Sequence, residues 1–284
     1  MSILILGDGY VGRTIFDYLT PRREVVIHSR EGLDYHNQSV LRKYIINNDI
    51  KTVINCAGYT GFPNVDSGES NKELCWRLNV EVPLDVSRTC KDLNVDLIHI
   101  SSGCIYTGYD KEFVEEDAPN FGMFNVSSFY SKTKHAYERL SQYGCVLRIR
   151  MPITYSLNHA RNYIAKILKY VNIINYKNSK TYLPDLAAFV DYLIDKDIRT
   201  NTIGLLNFVN PNAMFTSQVI DKLNAYGICN PNHKYVEIDD LNIIAPRSNC
   251  VLSIDKLTTM FSDFNLQSEE DVIERVALGI LKNS

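Results

Sequence analysis

The chain has 284 residues, 45% of them hydrophobic and 22% charged, the composition of an ordinary soluble globular protein with enough length for one large domain or two unequal lobes. A formal net charge of −3 and the lack of any Lys/Arg block argue against nucleic acid or an anionic membrane as the main partner, and no stretch is apolar enough to span a bilayer. The start, MSILILGDGY, lacks the basic region and cleavage site of a secretory signal, while seven scattered cysteines without a CxxC pair and six histidines without ligand spacing fit a reducing cytoplasm with neither a disulfide framework nor a metal site.

In chain order, ILIL (3–6) reads as a strand and is followed by a helical pattern from Val11 to Leu19. EVVIH (24–28) precedes the helical QSVLRKYIINN, and TVINCA (52–57) precedes a long helical segment from Lys72 to Leu93. VDLIHI (95–100) comes next, then a helix from Ser127 to Gln142, then CVLRIR (145–150). Strands that are apolar almost throughout, with helices between them, predict an α/β fold: a doubly wound parallel sheet covered on both faces. After Pro152 the rhythm loosens into helical stretches near 160–170 and 184–195, a strand-like GLLNFV (204–209), and a closing helix after the capping serine Ser268. These later residues are expected to form a smaller lobe beside the sheet's C-terminal edge.

GDGYVG (7–12) lies where the first strand turns into the first helix. Gly7 permits the tight turn, Gly9 lets backbone approach a pyrophosphate, and Gly12 allows close helix–strand packing. The helix N-terminus, with Tyr10 and Val11, then offers free N–H groups and a positive dipole end. A strand before it, a helix after it and its place at the N-terminus make this a dinucleotide cradle. The second strand ends in HSR (28–30), with no acid before Glu31. Ser29 and Arg30 there suit the 2′-phosphate of NADPH rather than the 2′-hydroxyl of NADH, although NADH remains possible.

YSKTK (130–134) stacks Tyr130 and Lys134 at i and i+4 on one helix face. A phenol near pKa 10 beside an ammonium is expected to fall toward neutrality and to give a proton to a carbonyl oxygen while hydride reaches its carbon. Lys134 can also hold the nicotinamide ribose. A hydroxyl at the end of the fourth strand, where open α/β sheets bind ligands, completes the set: Ser102, with Ser101 as the competing candidate.

Together GDGYVG, NCAG, SSGCIY and YSKTK resemble the extended short-chain dehydrogenase/reductases, and more narrowly the group that reduces 4-keto-6-deoxy nucleotide sugars. NCAGYTGFPNVDSGES (55–70), EEDAPNF (115–121), FYSKTKHAYE (129–138), LRIRMPI (147–153), ARNYIAKI (160–167), LNFVNP (206–211) and APRSNCVLSIDKL (245–257) look like the plant-type bifunctional nucleotide-rhamnose epimerase-reductases, over nearly the whole chain. The resemblance implies a Rossmann domain for NADP at 1–152 and about 186–209, and a substrate-binding lobe at about 153–185 and 210–284. It places the catalytic hydroxyl on Ser102, a second proton-transfer group on Cys104, and its partner on Lys166. Cys104 would take a proton from C3 or C5, α to the ketone, and Lys166 would supply one on the other face. In an extended segment Ser102 and Cys104 point the same way, with Gly103 between them as a warning of a turn.

Cys56, Ala57 and Gly58, with Asn79 on the following helix, are expected to line the cofactor. Asp66 in PNVD (63–66), Asn162, Arg247 and Asn249 are expected at the sugar nucleotide, with Asn162 and Lys166 on one helix face; for Asp66 and Arg247 a local turn or salt bridge is the competing reading. The expected activity is a cytoplasmic NADPH-dependent 3,5-epimerase/4-reductase making a UDP- or dTDP-linked L-rhamnose, as a homodimer. The rivals are a 4-reductase alone, a relative acting on a GDP sugar, and a regulatory subunit that binds cofactor without catalysis.

Overall fold

A computed structural model describes residues 2–62 and 64–283; Pro63 of the PNVD stretch lies outside the described residues. The elements in chain order are β1 (Ser2–Leu6), α1 (Tyr10–Leu19), β2 (Val25–His28), α2 (Gln38–Asn47), β3 (Ile50–Asn55), α3 (Ser67–Ser70), α4 (Lys72–Trp76), α5 (Val82–Leu93), β4 (Asp96–Ser102), α6 (Phe129–Leu140) and β5 (Cys145–Ile149). Then follow β6 (Pro152–Ile153), α7 (Tyr163–Ile167), β7 (Asn172–Ile174), β8 (Lys177–Asn178), β9 (Thr181–Tyr182), α8 (Leu183–Asp195), β10 (Leu205–Asn207), β11 (Met214–Phe215), α9 (Thr216–Ala225), β12 (Lys234–Val236), α10 (Asp255–Met260) and α11 (Glu269–Lys282). No described helix is long and apolar enough to cross a membrane.

Six strands form one parallel sheet in the order β10-β5-β4-β3-β1-β2, the doubly wound arrangement the apolar strands predict. The alternation of strand side chains divides the core. Ile3, Ile5, Ile54 and Ile98 face one apolar cluster, shared with Ile15 of α1 and with Leu186 and Phe189 of α8. Leu4, Leu6, Val53 and Leu97 face the other, shared with Leu41 of α2 and Val86 of α5. Burial on both faces fixes the register, because a slip of one residue would exchange the two clusters. A third cluster is built from residues between Ile153 and Ile280, including Ile164, Ile173, Val219 and Val276.

The long helix expected from Lys72 to Leu93 is interrupted by a π-helical turn over Arg77–Glu81. Pro83, in the first turn of α5, has no N–H for the regular ladder; the N–H of Val82 reaches back five residues to Arg77 O instead. Such turns concentrate at functional sites, and this one carries Asn79. The helix at 160–170 is also shorter than its pattern suggests, only Tyr163–Ile167. Ser128 caps α6 by accepting from Ser131 N–H at 3.1 Å, and Ser268 caps α11 in the same way from Asp271 N–H.

Candidate active site

The C-terminal ends of the parallel strands bring the predicted groups to one edge. Gly7 follows β1 with φ +97°, and its N–H donates to His28 O at 2.9 Å. A Cβ on Gly7 would lie 2.7 Å from Ala57 N, and one on Gly12 would lie 2.0 Å from Gly7 O. These two glycines are needed by the protein's own packing. A Cβ on Gly9 would meet no protein atom within 4 Å, so the opening beside it is free for a ligand. Val11 packs against the first core cluster. Tyr10 turns away from the cradle: its hydroxyl bonds to Thr154 Oγ1 at 2.9 Å and its ring stacks on His159. Cys56 is half-buried, and burial pushes its thiol up to about 12.

Ser29 accepts weakly from Gly32 N–H at 3.4 Å. Arg30 is exposed and makes no hydrogen bond or ion pair among the described residues. The sequence reading overlooks Arg77, which is likewise exposed and unpaired among them and which, with Arg30, acts electrostatically on His36. Asn79 is fully buried and holds its neighbours. Its Oδ1 accepts from Tyr59 N–H at 2.7 Å, and its Nδ2 donates to Tyr59 O at 2.8 Å and to Thr133 Oγ1 at 3.1 Å. It therefore fastens the loop after β3 to α6. A Cβ on Gly58 would lie 3.6 Å from Lys134 Nζ, so that backbone borders the lysine directly.

Geometry separates the two serines. Ser101 Oγ donates to Glu138 Oε1 at 2.9 Å, within a buried network that includes Arg148. Ser102 points the other way, toward Tyr130, on which it acts electrostatically, and its Oγ accepts from Cys104 N–H at 3.2 Å. The extended geometry expected for Ser102 to Cys104 does not hold: β4 ends at Ser102 and the chain turns at Gly103. The turn still keeps the thiol at the site, half-buried and electrostatically felt by both Tyr130 and Lys134.

The expected lowering of Tyr130 by Lys134 is overturned. Burial pushes the phenol up, Cys104 adds to this, and Ser102 works against it. Lys134 Nζ lies 5.7 Å from the Tyr130 ring centroid. The lysine is also buried, and burial brings it down to about 8. Desolvation thus outweighs the neighbouring charge for both groups, leaving Tyr130 a protonated donor.

Around the pocket sits a basic group from the later half of the chain. Lys166 is half-buried, and burial, then Arg161 and Arg247, lower it. Its amine has no hydrogen bond or ion pair among the described residues. Arg161 donates to Gly61 O. Arg150 donates through Nη1 to Cys104 Sγ at 3.6 Å; it is a second residue that sequence reasoning misses. The overlooked signal is two arginines, Arg148 and Arg150, at the end of an otherwise apolar strand.

One substrate expectation needs correction. Asn162 does not share a face with Lys166: it is the buried cap of α7, accepting from Ile164 N–H and donating to Thr154 O and Ser156 O at 2.8 Å. The side chain is fully buried in holding this loop. Asp66 and Arg247 pair with each other, the salt-bridge alternative. Asn249 Oδ1 accepts from Asn178 Nδ2 at 3.0 Å. A surface pocket of about 440 Å³ bordered by Met214, Lys222 and Glu270 shares no residue with this cluster.

A family profile described as the RmlD substrate binding domain matches residues 1–277. A trifunctional UDP-glucose 4,6-dehydratase/UDP-4-keto-6-deoxy-D-glucose 3,5-epimerase/UDP-4-keto-L-rhamnose-reductase of Arabidopsis thaliana is 35% identical over 236 residues, 78% of this chain and 34% of that protein. The chain thus spans about a third of the length of that relative. A bifunctional dTDP-4-dehydrorhamnose 3,5-epimerase/dTDP-4-dehydrorhamnose reductase of the same plant is 35% identical over 239 residues, 79% of this chain and 75% of that one. The crystal structure of the L780 UDP-rhamnose synthase from Acanthamoeba polyphaga mimivirus superposes with a TM-score of 0.87 at 26% identity, covering 98% of this chain and 99% of that one.

Proposed function

The chain belongs to the RmlD substrate binding domain family, and on that premise we propose that it reduces a nucleotide-linked 4-keto-6-deoxy sugar and first inverts it at C3 and C5, yielding a UDP- or dTDP-linked L-rhamnose. The observation that carries the reading is the convergence of Ser102, Tyr130, Lys134 and Cys104 at the C-terminal end of β4. A reductase needs the first three; a thiol beside them serves the inversions.

The open space at Gly9, the close packing at Gly7 and Gly12 and the unpaired Arg30 suit a dinucleotide with a 2′-phosphate. NADPH bound there supplies hydride to the sugar's C4. Ser102 and Tyr130 hold the C4 oxygen, and Tyr130, kept protonated by burial, gives it a proton as the carbon is reduced. Lys134 borders Gly58 and the phenol, where it orients the ribose side of the site. The same two hydroxyls stabilise the enolate formed when a proton leaves C3 or C5. Cys104 accepts that proton, and Lys166 returns one on the opposite face. Arg161 supplies positive charge for the diphosphate. The third apolar cluster supports a lobe at about 153–185 and 210–284 that carries Lys166 to the sugar, with Leu257 and Phe261 of that stretch packed instead in the first cluster.

The test is incubation with UDP- and dTDP-4-keto-6-deoxyglucose and NADPH in deuterated water, with no second enzyme, followed by NMR of the product. Deuterated L-rhamnose nucleotide is expected. A D-configured alcohol, or no NADPH oxidation until the sugar is supplied already epimerised, would leave a reductase alone.

A further inference from the structure

Among the described residues four Lys and Arg side chains are buried: Lys134, Arg148, Arg150 and Lys180. A buried charge must be paired or given up. Arg148 lies 2.8 Å from Glu138, and Lys180 lies 2.9 Å from Glu269. Lys134 can give its proton up more readily than a free lysine, brought down to about 8 by burial. Arginine cannot follow it, because a guanidinium stays protonated. Yet Arg150, 2% exposed, makes no ion pair with a carboxylate among the described residues.

Its partners are Gly103 O at 3.1 Å, Ser248 Oγ at 2.9 Å, Ser248 O at 3.1 Å, Asn178 Oδ1 at 2.5 Å and Cys104 Sγ at 3.6 Å. Of these only the sulfur can carry a negative charge. The other thiol nearby, Cys250, is pushed up by burial, and its Sγ donates to Gly103 O at 3.8 Å. Gly103 makes the arrangement possible: a Cβ there would lie 3.1 Å from Arg150 Cγ and 2.5 Å from Leu252 Cδ1.

We infer that Arg150 is the positioning residue of Cys104, guanidinium and thiolate serving as each other's counter-ion beside Ser102 and Tyr130. The inference deepens, and rests on, the reading of Cys104 as the base of the inversions. When the sugar's C–H bond breaks, the proton goes to sulfur, the electron pair goes to the enolate, and the guanidinium keeps its protons throughout.

The test compares alkylation of Cys104 and the exposed Cys229 by iodoacetamide in the same tube near neutral pH, read by peptide mass spectrometry. The thiolate is the form that reacts, so Cys104 is expected to react about tenfold faster despite its partial burial. Arg150→Lys should retain most of this advantage. Arg150→Met should slow Cys104 by about tenfold and leave Cys229 unchanged, with NADPH binding as the check on folding. Cys104 reacting no faster than Cys229 in the parent would overturn the inference, and that arm needs no folded variant. A folded Arg150→Met whose Cys104 reacts at the parental rate would overturn it too. In activity, Arg150→Met should lose deuterium uptake at C3 and C5 while still reducing pre-epimerised sugar; loss of both with NADPH binding intact counts against positioning. If Cys104→Ser keeps full deuterium uptake, the epimerase reading fails, and the alkylation ratio still decides the ion pair.

Discussion

Asp66 and Arg247 stand 181 positions apart in sequence and meet in a two-pronged ion pair, Nη1 to Oδ1 at 2.7 Å and Nη2 to Oδ2 at 3.0 Å. Ala245 N–H donates to the same carboxylate at 3.0 Å. The pair fastens the loop after β3 to the segment before Cys250. The guanidinium, first among the causes, holds the carboxyl below its ordinary value of 3.8. A carboxylate depressed in the folded state contributes stability that is complete above its unfolded value and is lost as pH falls through the folded one. With both side chains about a fifth exposed, Asp66→Asn should cost about 1–2 kcal/mol near neutral pH. The gap to the parent should close as pH drops below 3.8. Urea midpoints at the two pH values measure it; equal midpoints at neutral pH would make the pair a passive surface contact.

Tyr130→Phe removes the proton donor without emptying space. Turnover at saturating NADPH should fall by about 10²–10⁴-fold, the usual loss for general acid catalysis, while NADPH affinity stays near the parent's. Stopped-flow reduction of pre-epimerised sugar checks it. Near-parental turnover would take Tyr130 out of the mechanism.

Removing the charge of Lys134 should act oppositely to removing that of Asp66, because here the charged form is a burden on the fold. The lysine's folded value is about 8 and its ordinary value is 10.5, so between these the unfolded chain binds more protons. Stability should therefore rise with pH across that window, the full penalty being present below about 8. At about 1.4 kcal/mol per unit, the penalty is a few kcal/mol. Lys134→Met should be more stable than the parent near neutral pH, lose that advantage as pH climbs past the window, and have little reductase activity. Thermal unfolding midpoints of the two proteins across the window decide; parallel curves would mean that burial does not tax this lysine.

The sheet was legible because its strands are apolar on both faces and its helices are not, and Ile3 to Leu6 show that alternation within four residues. The glycine cradle and the Tyr130–Lys134 spacing were legible for the same reason: they are local. What escaped was contact across distance. Arg150 reaches Cys104 over 46 positions, and nothing near either residue announces the other. Asp66 and Arg247 were picked out one by one as groups for the sugar, and only the fold shows them paired. Asn162 misled because its i, i+4 spacing to Lys166 presumes a helix that begins after it; an asparagine at that point is the cap. The fall expected for Tyr130 was wrong in sign because spacing reveals a neighbouring charge and says nothing of burial.

Arg30, just after β2, is the residue proposed to set the cofactor preference. Arg30→Ala should weaken NADPH much more than NADH, by about 1.5–3 kcal/mol, the worth of a charge-assisted contact. Fluorescence titration with each cofactor measures the ratio. An equal loss for both, or none, assigns the 2′-phosphate elsewhere, with Arg77 the next candidate because it acts on the same His36.

Cys104 and Lys166 decide between an enzyme with two activities and one with a single activity. Cys104→Ser keeps the size of the side chain but gives a far weaker base, since the thiolate is the reactive form. The variant should bind NADPH normally. Given a 4-keto-6-deoxyglucose nucleotide in deuterated water, it should lose most deuterium uptake at the affected carbon. Given sugar already inverted at C3 and C5, it should still reduce the ketone, because Ser102, Tyr130 and Lys134 remain. Lys166→Ala should divide the two activities in the same way. Its amine is half-buried, without a hydrogen-bond partner among the described residues, and lowered by burial and by Arg161 and Arg247, a setting that makes proton release easier. If Cys104→Ser exchanges and inverts as fast as the parent, the thiol is packing and the protein is a reductase alone. If it also fails on the pre-inverted sugar, Cys104 shapes the pocket for both steps, and the base must be sought elsewhere.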